Sequence, residues 1–65
     1  MANLSEAIER ITRAGRDNVV IEQESGGQFR IKVLQGGTWV VVVSGITRQI
    51  AEDIVNRATN RTLLG

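Results

Sequence analysis

The chain reads as an α+β domain of order α-β-β-β-α: a three-stranded antiparallel meander with two helices packed mainly on one face. Three observations carry this reading. Apolar residues recur at helical spacing near both ends and at strand spacing between them. In a chain of 65 residues without proline, glycine is the punctuation: Gly15, the pairs Gly26-Gly27 and Gly36-Gly37, and Gly45 cut it into five pieces. The three middle pieces are short and β-branched, and glycine pairs join them, which is a hairpin signal. No linker, repeat or low-complexity stretch intervenes, so residues 1–65 form a single domain.

The first piece, Asn3 to Ala14, places Leu4, Ala7, Ile8, Ile11 and Ala14 on one stripe. Asn3 followed by Glu6 has the form of a capping box with Asn3 as N-cap. Gly15 sits where a left-handed C-terminal cap belongs, and Arg10 and Arg13 lie at the end that favours cations. The strands follow at Asn18 to Glu24, Gln28 to Gln35 and Thr38 to Ser44. The second helix runs from about Thr47 to Thr62. Its apolar face is Ile46, Ile50, Ala51, Ile54, Val55 and Ala58, with Ser44 or Thr47 as cap and an Asp53–Arg57 pair at i,i+4.

The strand registers can be derived. A two-residue loop at Gly36-Gly37 sets Gln35 against Thr38, Leu34 against Trp39, Val33 against Val40, Lys32 against Val41 and Ile31 against Val42. For the first hairpin, a loop of even length would bury Glu22 and Glu24 on the Phe29 face. A three-residue loop, Ser25-Gly26-Gly27, instead pairs Ile21 with Ile31, Val19 with Val33 and Glu22 with Arg30, keeping the apolar set together and adding a cross-strand ion pair. One face then carries Val19, Ile21, Phe29, Ile31, Val33, Val40 and Val42, for the helices to cover. The other carries Val20, Leu34, Trp39, Val41 and Val43 beside Glu22, Glu24, Arg30 and Lys32.

Strand three is also an edge in a simple meander, and its Trp39–Val43 run has no charge and no proline to guard it. Two readings follow. In one, Leu34, Trp39, Val41 and Val43 form an interface, most simply of a two-fold homodimer. In the other, one helix crosses over and makes them core.

Composition narrows the function. Eight basic residues against seven acidic give a net charge of +1, which argues against a bulk anionic partner such as nucleic acid or membrane. Cys and His are absent, as is Tyr. The ordinary acid–base group near neutral pH, the thiol nucleophile and the soft-metal ligands are therefore missing. A chain of this length buries only about 60% of its unfolded surface. With disulfides and zinc excluded, oligomerisation is the remaining source of added stability. The opening MANLSEAIER has no signal-peptide core, and the longest apolar run, Trp39 to Val43, is far short of a membrane span. A cytoplasmic protein without cofactor or metal is expected.

Weaker candidates each have a plainer reading. Glu22 and Glu24 share a strand face but lack a third cation ligand, so a solvated face neutralised by Arg30 is preferred. The glycine pairs fit no phosphate-binding fingerprint and read as turns. Ser44-Gly45 leads into the second helix with Arg48 one turn on, either an anion site or simply a cap. Arg48, Arg57 and Arg61 give that helix a basic tinge, offset by Glu52 and Asp53.

The segment FRIKVLQGG (Phe29 to Gly37), followed by a strand and SGITRQIAEDI (Ser44 to Ile54) with Ala51 early in the helix, resembles the double-stranded RNA-binding domain in layout across nearly the whole chain. That resemblance implies both helices on one sheet face. It also implies RNA contacts from helix one, the first hairpin loop and the basic opening of helix two. Arg48 is the position that carries over. The family's lysine cluster is reduced to Arg48 alone, and its first hairpin loop to Ser25-Gly26-Gly27, as in a degenerate member that mediates dimerisation or protein contacts. The sequence therefore predicts a non-enzymatic interaction module, a homodimer or the partner of a larger protein, acting as regulator, inhibitor or assembly component. Nucleic-acid binding is the alternative.

Overall fold

A computed structural model describes the backbone of residues 4–64 and the side chains of residues 4–60. The elements are α1 (Leu4–Ala14), β1 (Val19–Gln23), β2 (Phe29–Gln35), β3 (Thr38–Ile46) and α2 (Arg48–Leu64), the α-β-β-β-α order expected. The proposed N-cap Asn3 lies outside the described residues. Helix α1 ends at Gly15 as expected, but with ψ 155° the glycine is in an extended positive-φ conformation and not the left-handed helical cap that the sequence predicts. Gly15 takes φ +88°, and its N–H donates to the Ile11 carbonyl at 3.0 Å. A single 3-10 turn, Arg16–Asn18, then leads into β1, and the Asn18 side-chain amide donates to the Ala14 carbonyl at 2.9 Å, occupying one of the last open carbonyls of α1.

The sheet order is β1-β2-β3, antiparallel throughout. The first hairpin adopts the register that charge and parity select: Val19 opposite Val33, Ile21 opposite Ile31, Glu22 opposite Arg30. Its three-residue loop, Ser25–Gly27, holds Gly26 and Gly27 at φ +81° and +78° and is closed by the Glu24 N–H donating to the Gln28 carbonyl. In the second hairpin Gly36 and Gly37 take φ +60° and +82°, the pair of positive values a twisted two-residue turn requires. Leu34–Trp39, Val33–Val40 and Lys32–Val41 pair as derived.

Beyond Val41 the register departs from simple alternation. Ile31 pairs with Val43 rather than Val42, and Phe29 with Ile46. Strand β3 therefore carries two bulges, Val42–Val43 opposite Ile31 and Gly45–Ile46 opposite Phe29. Gly45, at φ +68°, supplies the left-handed residue that opens the second.

Both helices pack on the same face. The core is Ala7 and Ile11 of α1, Ile31 and Val33 of β2, Val42 of β3, and Ala51, Ile54 and Ala58 of α2. Ile11 and Ile31, large and wholly buried, sit at its centre. The helices are also tied by a polar contact. The Thr12 hydroxyl lies 2.8 Å from the Ile8 carbonyl and 3.2 Å from the Ala58 carbonyl, its one proton shared between them. The buried Thr59 hydroxyl donates within its own helix, to Val55 or Asn56. Two residues assigned to apolar helix faces are open instead: Leu4 is 52% exposed and Ile50 48%, each in the first turn of its helix.

Candidate interaction surface

The sheet face away from the helices is built from the alternate residues of β1 and β2 and the first half of β3. Its rows run across the strands. Leu34 stands beside Trp39, and Val20, Lys32 and Val41 form the next row. Glu22 and Arg30 follow, and Glu24 stands just beyond the end of β1. Trp39 is 43% exposed and Val41 45%, while Leu34 and Val20 are half-buried. The reading in which a helix crosses to cover these residues does not hold, because α1 and α2 both pack on Ile31, Val33 and Val42.

Of the four residues predicted to form the interface, the structure brings Leu34, Trp39 and Val41 together and removes Val43. In a bulge, two successive side chains oppose one partner and point to its side of the sheet. Val42 and Val43 both oppose Ile31, so Val43 turns inward and packs against the core. The predicted patch is thus shorter by one residue and confined to the hairpin end of β3.

The other end of the face is an ion-pair ladder. The Glu22 Oε1 accepts from Arg30 Nη2 at 2.8 Å and Nε at 3.0 Å, and lies 3.1 Å from Lys32 Nζ. Arg30 Nη1 reaches Glu24 Oε2 at 3.8 Å. The Glu24 Oε1 in turn accepts the Gly45 N–H at 3.0 Å. The hydrogen bond from Arg30, and then that from Lys32, hold the Glu22 carboxyl below its ordinary range. Reading the sequence finds the Glu22–Arg30 pair but misses the role of Glu24, which satisfies a backbone donor that the bulge takes out of the ladder. The Lys32 ammonium is drawn toward Glu22, so its stem lies between Val20 and Val41 and extends the apolar area.

The remaining candidates resolve locally. Thr47 caps α2, its hydroxyl accepting the Ile50 N–H at 3.1 Å. Arg48 stands in the first turn of α2, open to solvent, with Nε 3.2 Å from Glu52 Oε2. Arg57 pairs with Asp53 at 3.6 Å, as its spacing predicts. A shallow groove of about 260 Å³ between the end of α1 and the β2–β3 turn is lined in part by Arg10 and Arg13, which engage Glu6 and Glu9. Among the described residues no cluster of three or more His, Cys, Asp or Glu side chains is placed to hold a metal ion, and no helix is long and apolar enough to cross a membrane. Comparison with protein-family models, curated proteins and solved structures finds no match.

Proposed function

We propose that this chain is a non-enzymatic interaction module that works as a homodimer through the hairpin end of β3 and acts as a small regulator, inhibitor or assembly component. The observation that carries the reading is the exposure of Trp39 and Val41, 43% and 45%, on an uncharged edge strand that neither helix covers. An exposed tryptophan on an uncovered apolar face is the kind of anchor that protein interfaces use. The absence of His, Cys and Tyr from the sequence supports a binding role over a catalytic one. The pairing of Arg48 with Glu52 favours a protein partner over a nucleic acid, since the one basic position carried over from the RNA-binding layout already has a carboxylate beside it.

The test is the solution mass of the wild type and of Val41→Lys. Val41 lies on the open face, so the lysine leaves the core intact while placing a charge at the centre of the interface. Light scattering is expected to give a dimer for the wild type and a folded monomer for the variant. A variant that still runs as a dimer contradicts the assignment of the surface.

A further inference from the structure

The edge of β3 specifies how two copies would join, an inference that rests on the homodimer reading above. In a two-residue hairpin the residues flanking the turn exchange both backbone hydrogen bonds, and bonded and non-bonded pairs then alternate along the ladder. From Gln35–Thr38 onward, Thr38 and Val40 therefore bond inward to β2, while Trp39 and Val41 turn their N–H and C=O groups outward. The regular edge ends there. At Val42–Val43 the first bulge begins, and at Gly45–Ile46 the second. Bulges on an edge strand obstruct further pairing, so the C-terminal half of β3 is closed to a partner strand. The other end is closed by the Gly36-Gly37 turn.

We infer that a second copy pairs with this short window in antiparallel register, with Val40 opposite Val40 of the other copy on the two-fold axis. The alternatives are few. Centring on Trp39 sets Val41 against Gly37 in the turn. Centring on Val41 sets Trp39 against Val43 in the bulge. Only the Val40 centre gives each outward residue a regular partner, with Trp39 opposite Val41 twice over. That arrangement also forms two aromatic–β-branched cross-strand pairs on the open face. It merges two three-stranded sheets into one of six, with no charged residue along the Thr38–Val42 seam.

The chain has no cysteine, so a single introduced thiol reports cleanly. Residues opposite each other in a non-bonded antiparallel pair lie about 4.5 Å apart at Cα, within reach of a disulfide. Val40→Cys is therefore expected to oxidise to a covalent dimer under mild conditions. Thr38→Cys, which this register places well away from its own copy, is expected to stay largely unlinked. A wild type that is dimeric by mass but whose Val40→Cys form does not cross-link, or cross-links no faster than Thr38→Cys, overturns the register and leaves the dimer standing. A wild type that is monomeric at all concentrations overturns both. Amide hydrogen exchange on the unmodified chain is an independent readout. The Trp39 and Val41 N–H groups are expected to exchange more slowly as concentration rises, and exchange that ignores concentration overturns the pairing even if the cysteine variants misfold.

Discussion

The two faces of the sheet are made from the same three strands, yet different physics governs each. On the helix-covered face, Ile31, Val33 and Val42 are packed among the apolar side chains of Ala7, Ile11, Ala51, Ile54 and Ala58. On the open face, an apolar end of Leu34, Trp39 and Val41 adjoins a ladder in which Lys32, Glu22, Arg30 and Glu24 engage one another in turn. Strand β3 contributes to both faces, and its first bulge decides the division by turning Val43 inward. What remains outside is the Trp39–Val41 pair. The difference separates residues that stabilise the fold from residues left exposed on its uncovered face.

That separation is testable by substitution. Ile31→Ala, at a wholly buried position, is expected to cost about 2–5 kcal/mol. On a domain of marginal stability this leaves much of the protein unfolded. Val41→Ala on the open face is expected to stay within about 0.5 kcal/mol when measured on dilute protein. Urea denaturation of both variants checks the contrast, and similar losses at the two positions would erase the distinction between the faces.

The bulge offers a second way to break the comparison. Gly45→Ala forces a β-carbon onto a residue at φ +68°, and is expected to cost about 1–2 kcal/mol. No side chain lies close to the added carbon, the nearest atom being Gln28 Oε1 at 4.0 Å. The cost therefore comes from the backbone, and Gly45→Asn, whose side chain tolerates the left-handed region, is expected to cost less than Gly45→Ala. A neutral Gly45→Ala in the same urea assay would show that the strand does not need its bulge.

The smallest effect sharpens the polar end of the open face. The Glu22 carboxyl is held below its ordinary range in the folded chain by Arg30 and Lys32. Its contribution is therefore present above the ordinary carboxylate pKa and is lost as pH falls through the depressed folded value. Glu22→Gln is expected to flatten the acid side of the stability–pH curve while leaving its upper part almost parallel to wild type. Coincident slopes for the two proteins would remove the ladder from the account.

Much of this arrangement was legible in the sequence, for reasons that vary by residue. The β1–β2 register followed because only an odd loop keeps Glu22 and Glu24 off the Phe29 face. The β2–β3 register followed as far as Val41 because the Gly36-Gly37 turn fixes where counting starts. The bulge at Val42–Val43 was not legible. Residues 40–43 are four identical valines, so nothing in their pattern marks which two oppose one partner. In the sequence Gly45 reads as a link to the second helix, whereas it opens the second bulge inside a longer β3. The role of Glu24 depends on that bulge and could not be seen without it. Ile50 fits the apolar spacing of α2 yet stands open in its first turn, where Thr47, Gln49, Glu52 and Asp53 surround it.

The central claim is that the open face and edge of β3 are completed by a second copy of the chain. Light scattering of the wild type over a range of concentrations tests it most directly. The account predicts a species near twice 7.1 kDa that dissociates on dilution. A mass that stays at 7.1 kDa at every concentration would contradict it.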